Sequence, residues 1–300
     1  MPSDPRIVRT LAFVPAHDED VVLRAADVGL DALGLDLEDS TPGPGKGRAR
    51  EIFRTMATEI AARGVLVMAR TNGFAGGACE ADLDAVMCPE LHALNIPKAE
   101  SAEDVLRFCT LLEKAEAAHG IAVGSVLVRP VIETARGVRA AFEIASASPR
   151  VTYMGGVAGG FWGDLGATVG LIMSELGTES LYLRSKVVID VRAAGVRFPV
   201  GGGSVATDNP ALVRRFAVEN KHLGYTGSFV PPRRDVVEIV NDVFSPTSEE
   251  LAEWAAVLPV LDAARAEGTV VVTIDGRMYD TAGIARVRDQ LALAARLGLV

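Results

Sequence analysis

The stretch "GLDLEDST", residues 34–41, places three carboxylates, Asp36, Glu38 and Asp39, at the end of an apolar run. Acids are poor strand formers and costly to bury unpaired. The run leading into them, "ALGLDLE" from Ala32, is apolar at nearly every position. That is the pattern of a parallel strand covered on both faces. Seven further runs read the same way: "TLAFVPA" from Thr10, "GVLVMART" from Gly64, "HALNIPKA" from His92, "SVLVRPVIET" from Ser125, "VTYMGGV" from Val151, "RFPVGGG" from Arg197 and "YTGSFVP" from Tyr225. Helical patterns lie between most of them, among them "DEDVVLRAADVG", "GKGRAREIFRTMATEIAARG" and "SAEDVLRFCTLLEKAEAAHG". The third has Ser101 as N-cap, Asp104 three residues on, and Gly120 just past its end. Its apolar face is expected to hold Val105, Leu106, Cys109 and Leu112. A β-then-α rhythm repeated eight times predicts an α/β fold, a (β/α)8 barrel, with a doubly wound open sheet as the alternative.

After the eighth strand the pattern changes. "SPTSEELAEWAAVLPVLDAARAEG" reads as a helix, "TVVVTIDGRMYD" as a short strand-and-turn element and "TAGIARVRDQLALAARLGLV" as a last helix. Residues 1–244 are thus expected to form the barrel, and 245–300 a C-terminal helical extension whose apolar faces pack on the barrel or on a neighbouring subunit.

A chain of 300 residues with 49% hydrophobic and 5% aromatic residues is long enough to bury an Ala/Val/Leu-rich core. The formal net charge of −9 argues against sequence-independent nucleic-acid binding, which needs a basic face. It leaves room for an anionic substrate, because a local cluster of arginines overrides the mean. Cys79, Cys88 and Cys109 form no CxxC pair and suggest reduced thiols. No apolar run approaches the ~20 residues of a membrane span. The reading is a soluble, cytoplasmic protein with neither nucleic acid nor membrane as partner.

Active sites of such barrels lie at the C-terminal ends of the strands, a rule that selects residues directly. Strand two ends in Asp36, Glu38 and Asp39. Strand three ends in Arg70, Thr71 and Asn72, strand four in Pro97, Lys98, Ala99 and Glu100, and strand five in Glu133 and Thr134, with Arg136 following. Strand six leads into "GGVAGGFWGDLG", which contains Asp164. That many carboxylates at one mouth suit a hard divalent ion, and Mg²⁺ is often held by one or two carboxylates plus water. Glu133 and Asp164, on consecutive strands, can converge on one ion. The plain alternatives are a salt bridge from Glu133 to Arg70 or Arg136, and a helix cap at Asp164. His17, His92, His119 and His222 show neither HxH nor HxxxH spacing, which disfavours zinc. Neither "GGVAGG" nor "PVGGGS" has the spacing of a Walker A loop or a dinucleotide fingerprint. Lys98 reads as a Schiff-base amine of an aldolase or as an ion pair with Glu100 or a neighbouring acid. For Asp36 the expectation is a structural pair with an Arg or Lys of a neighbouring strand.

"LAFVPA", "LDLEDS", "ARTN", "IPKAES", "VIETARG" and "LRSKVV" occur in this order at the barrel positions just described. With them the chain resembles the citrate lyase β-subunit-like group within the superfamily of Mg²⁺-dependent aldolases and lyases. The resemblance runs on through "VNDVFSPTSEELAEWA" to "DGRMYD". It implies a carbon–carbon lyase that cleaves or forms a bond next to a carbonyl through a metal-stabilised enolate, on a 2-oxo or hydroxy acid or its thioester. It places the family's metal-ligating glutamate on Glu133. Its aspartate ligand falls on Gly160 in an ungapped alignment, and on Asp164 if four extra residues are allowed; the second alignment also keeps Leu165 and Gly170 and makes the Phe161–Trp162 loop a local feature. The substrate-carboxylate arginine falls on Arg70, with Lys98 and Thr134 as further substrate contacts. Glu38 and Asp39 become catalytic acids in the outer shell of the cation. An acid/base aspartate, often delivered from a neighbouring subunit, falls on Asp280, which implies a homo-oligomer, a trimer or hexamer.

The chain departs from that family near strand eight. Where relatives read "GKxxIHPxQ", it reads "GSFVPPRRD", with Ser228 at the lysine, leaving Arg233 and Arg234 to meet an anionic group. "VGGGSVATD" lacks the usual acidic pattern after strand seven. Coenzyme A use is therefore open. A malyl-type thioester hydrolase and a non-catalytic binding protein are the rival functions on the same scaffold.

Overall fold

The computed structural model describes residues 5–156 and 164–300. Eight parallel strands form one sheet: β1 Thr10–Pro15, β2 Ala32–Asp36, β3 Leu66–Arg70, β4 Leu91–Ile96, β5 Leu127–Ile132, β6 Gly155–Gly156, β7 Val200–Gly201 and β8 Gly227–Phe229. Their order, β6-β5-β4-β3-β2-β1-β8-β7, runs around a ring. Val200 N donates to Tyr153 O at 3.4 Å and Gly202 N to Gly156 O at 3.2 Å, bringing β7 back to β6. That closure excludes the open doubly wound sheet. All eight strands occur where the apolar runs predict them, although β6, β7 and β8 are short.

Side chains alternate between two environments, as the pleat requires. Ala12, Val14, Leu33, Leu35, Val67 and Leu94 face outward and are buried under the helices. Phe13, Gly34, Asp36, Arg70, Asn95 and Arg129 share the barrel interior. Phe13 packs on Phe229 with ring centroids 5.5 Å apart, and the Arg70 guanidinium lies 5.1 Å from the Phe13 ring. Gly34 is glycine for space: a Cβ there would lie 2.1 Å from the Phe13 ring. The interior is therefore hydrophobic at one level and ionic toward the C-terminal rim.

Local signals explain the helices. Helix Ala102–Ala118 starts on a capping box between Ser101 and Asp104. The chain leaves it through Gly120 at φ 68°, the left-handed conformation glycine adopts without strain. Its buried face is Val105, Phe108, Cys109 and Leu112. Leu106 is 51% exposed, contrary to the sequence reading, because a residue next to Val105 points about 100° away around the helix.

Residues up to Phe244 make one compact unit and Ser245–Val300 a second. The second unit is helix Ser248–Ala266, a hairpin of β9 Val271–Ile274 and β10 Arg277–Asp280, and helix Ile284–Arg296. Val257, Leu261 and Ile284 form its small core. The hairpin turns on Asp275 and Gly276, both at positive φ, the Asp-Gly preference of a tight two-residue turn. Among the described residues no helix is long and apolar enough to cross a membrane.

Candidate active site at the C-terminal mouth of the barrel

The three acids of the opening stretch separate into two roles at the end of β2. Asp36 is fully buried and lies in register with Arg70 of β3. Arg70 Nε donates to Asp36 Oδ1 at 2.8 Å and Nη2 to Oδ2 at 2.7 Å, a bidentate pair. Glu38 N and Ser40 N donate to the same carboxylate at 2.9 Å each, as does the Ser40 hydroxyl. Burial alone would raise the Asp36 pKa; the Arg70 hydrogen bonds and charge outweigh it and hold it below the usual carboxylate value. Asp36 thus has the expected structural partner on the neighbouring strand. It also folds the chain into a tight turn that brings Glu38 and Asp39 over the mouth.

Arg70 has one end left. Its Nη1 lies 3.1 Å from Glu38 Oε2, at an angle that makes no hydrogen bond, and 3.7 Å from Glu133 Oε1. Burial opposes the Arg70 charge, and Asp36, Glu38 and Glu133 more than restore it.

Lys98 follows β4 in a left-handed backbone conformation, φ 47°, unusual for lysine. Its Nζ donates to Glu38 Oε1 at 2.9 Å and to Asp39 Oδ2 at 3.1 Å, and lies 3.3 Å from Asp164 Oδ2. Burial works against the ammonium, but its bonds to Glu38 and Asp39 prevail and raise its pKa. An amine held charged among three carboxylates is a poor Schiff-base nucleophile at neutral pH, which favours the ion-pair reading. Of the two kinds of partner expected for Lys98, the structure shows neighbouring acids, and Glu100 lies 3.8 Å from Arg136.

Glu133 is pushed to a raised pKa by burial, with the Arg70 and Lys98 charges opposing. Its Oε2 is buried and has no hydrogen-bond partner. A buried carboxylate oxygen without a donor is costly, and a divalent cation is a group of the right charge to meet it. Asp164 opens helix Asp164–Val169 and leaves its carboxylate half exposed, facing Lys98. Among the described residues no three His, Cys, Asp or Glu side chains converge as a ligand set. Two carboxylates completed by water and substrate oxygens are a common Mg²⁺ arrangement, so the all-oxygen pair Glu133 and Asp164 fits that ion. Gly160, the alternative ligand position, and the Phe161–Trp162 loop lie outside the described residues.

The other sequence-selected positions are placed as follows. Thr134 is buried and its hydroxyl accepts from Gly137 N at 3.1 Å, capping helix Ala135–Arg139. Asp280 belongs to the second unit, exposed at the end of β10, where its carboxylate accepts from Ala282 N at 2.8 Å. Arg233 is paired with Asp208 and Asp235, and Arg234 is exposed and donates to the neutral Asp27 O. Sequence reasoning missed Lys46. With Glu38, Asp39, Asn72, Phe74 and Lys98 it lines a cleft of about 480 Å³. A lysine at the start of an amphipathic helix looks like ordinary solvated charge, so nothing local marks it.

Known proteins share this architecture along nearly the whole chain. The citrate lyase subunit beta of Escherichia coli strain K12 is 30% identical over 297 residues, covering 98% of this chain and 95% of that protein. The L-malyl-CoA/beta-methylmalyl-CoA lyase of Rhodobacter capsulatus is 27% identical, covering 94% and 93%. The crystal structure of CitE from Mycobacterium tuberculosis in complex with magnesium, acetoacetate and coenzyme A superposes with a TM-score of 0.67 at 24% identity, over 96% of this chain and 98% of that one, and so shares the fold. The sequence model of HpcH/HpaI aldolase/citrate lyase matches residues 9–231, the strands and mouth described above, and this chain is a member of that family.

Proposed function

We propose that this protein is a Mg²⁺-dependent carbon–carbon lyase acting next to a carbonyl, on a 2-oxo or hydroxy acid or its thioester. The observation that carries the reading is the buried Glu133 carboxylate at the mouth of a citrate-lyase-family barrel, its Oε2 without a partner and its Oε1 3.7 Å from Arg70 Nη1. The names of the relatives, a citrate lyase subunit and a malyl-CoA lyase, and the magnesium in the Mycobacterium tuberculosis complex support it.

Glu133 and Asp164 would hold the ion. Mg²⁺, when bound, supplies Lewis-acid polarisation of a substrate carbonyl. Arg70 orients a substrate carboxylate through Nη1, its other two donors being fixed on Asp36. Lys98 holds Glu38 and Asp39 together at the rim, as the outer shell of the cation. Cleavage needs a base for the β-hydroxyl proton. Asp280 is assigned that transfer, its carboxylate being exposed on the second unit, and a homo-oligomer would supply it from a neighbouring copy.

The test is a Mg²⁺-dependent screen over oxaloacetate, hydroxy-oxo acids and malyl- and citramalyl-thioesters. The expected result is scission of a carbon–carbon bond, with exchange of labelled carbon between product and substrate, lost in Glu133→Gln. Release of free thiol without carbon–carbon scission would mean a thioester hydrolase. Absence of Mg²⁺-dependent turnover would mean a binding protein.

A further inference from the structure

The mouth holds one more cation than the lyase reading uses. Lys46 opens helix Lys46–Ala62, and its ammonium donates to Asn72 Oδ1. Asn72 cannot turn. Its backbone N–H donates to Asp82 Oδ2 at 2.7 Å, and its Nδ2 donates to Asp82 Oδ2 at 2.6 Å and to Leu37 O at 2.9 Å. Both amide protons are engaged, so the oxygen stays presented to Lys46. Asp82, fully buried, is itself held by Arg50 Nε at 2.7 Å. Successive buried contacts therefore fix one half-buried ammonium in the wall of the cleft that contains Glu38, Asp39 and Lys98.

The cations that end or follow the strands are matched by carboxylates, and Arg107, on the neighbouring helix, lies 4.0 Å over the Phe74 ring. Arg70 is on Asp36 and beside Glu38, Lys98 meets Glu38, Asp39 and Asp164, and Arg136 lies 3.8 Å from Glu100. Among the described residues Lys46 is paired with no carboxylate; its partner is the neutral Asn72 amide. A neutral oxygen takes one of three ammonium protons and leaves the positive charge uncompensated. A compact ammonium held still in the wall of a cleft is placed to meet an anion that enters it.

We propose that Lys46, held by Asn72, recognises a second anionic group of the substrate. The protein then takes a substrate with two oxyanions, one turned to Arg70 Nη1 and one to Lys46. The proposal rests on the lyase reading and adds the charge pattern of the substrate to it. The second oxyanion is a carboxylate of the carbon skeleton or a phosphate of a thioester arm. Both present the negative oxygen that a compact ammonium binds.

Calorimetric binding to the Mg²⁺-loaded full chain tests this with two pairs of probes. Oxaloacetate and pyruvate differ by a carboxylate; coenzyme A and pantetheine differ by the phosphates and nucleoside. The wild type is expected to prefer the more anionic member of one pair at least 10-fold. Lys46→Met and Lys46→Gln erase that preference, and Lys46→Arg keeps most of it. Affinity for Mg²⁺ and for the less anionic probe stays at the wild-type value in all three. A preference lost in the oxaloacetate pair identifies a carboxylate, and one lost in the coenzyme A pair a phosphate. The proposal is overturned if the wild type shows no preference in either pair, if the preference survives in both neutral variants, or if all probes weaken equally. The lyase reading fails separately, through absence of Mg²⁺-dependent carbon–carbon scission by the wild type.

Discussion

Asp36→Asn replaces a carboxylate by an amide of the same shape, and the structure predicts a large loss of stability. Every partner of this carboxylate is a donor. Oδ1 accepts from Arg70 Nε and Glu38 N, and Oδ2 from Arg70 Nη2, Ser40 N and the Ser40 hydroxyl. Whichever way the asparagine turns, its NH₂ faces two fixed N–H donors, and only the Ser40 hydroxyl, by rotating, can accept from it. The Arg70 guanidinium, also buried, loses its bidentate counter-charge and keeps only the looser contacts to Glu38 and Glu133. Breaking a buried ion pair from one side costs roughly 3–5 kcal/mol, out of a total stability of about 5–15 kcal/mol. With a urea dependence of about 3 kcal/mol per molar, the unfolding midpoint should fall by about 1–2 M. Circular dichroism in urea reads this directly. The sign with pH follows from the lowered folded pKa. The wild-type advantage is full above the ordinary value of 3.8 and disappears as pH falls below it through the folded value. The double variant Asp36→Leu/Arg70→Met removes both charges and is expected to be more stable than Asp36→Asn. A midpoint shift worth less than about 1 kcal/mol in Asp36→Asn, or a double variant less stable than the single one, would refute the reasoning.

Three further outcomes are expected. Glu133→Gln and Asp164→Asn should each weaken Mg²⁺ binding at least ~10-fold by calorimetry, since each removes one anionic ligand of two; unchanged affinity in Asp164→Asn would remove Asp164 from the site. His92 is buried against Tyr153, its Nε2 2.8 Å from the phenol oxygen, and burial lowers its pKa to about 4. Neutral His92 therefore favours the fold above the ordinary value of 6.5, and up to about 3 kcal/mol is lost as pH falls from 6.5 to 4. His92→Gln should flatten the pH dependence of unfolding in that window, and an unchanged slope would show that other groups carry it. Ser101→Ala breaks the capping box of helix Ala102–Ala118 and should lower barrel stability by about 1 kcal/mol in urea, whereas Ser101→Asp should not.

The eight strands and the barrel were legible in the sequence because their cause is local. A strand buried on both faces needs an unbroken apolar run, and eight such runs separated by amphipathic helices leave few other closed packings. The rule that barrel chemistry sits at strand ends then selected Glu38, Asp39, Arg70, Lys98, Glu133 and Asp164, and the fold brings these six to one mouth. The composition of the site was therefore written in the chain, and so was the family, in six short motifs, five of which end a strand while the sixth, "LRSKVV", lies within helix Leu181–Ala193.

What each charge faces was decided only by the tertiary structure. Asp36 and Arg70 lie 34 residues apart in sequence, and only the register of β2 against β3 sets them side by side. That pairing engages two of the Arg70 donor groups and leaves Nη1 turned toward Glu38 and Glu133. Lys98 was equally ambiguous as a string of letters, since a lysine after a proline carries no record of the three carboxylates that meet it. Lys46 was invisible for the same reason. The amide that holds it is 26 residues away in sequence. Hydrophobic periodicity is a property of neighbours along the chain, whereas electrostatics depends on distance through space, and that distance exists only once the barrel has closed.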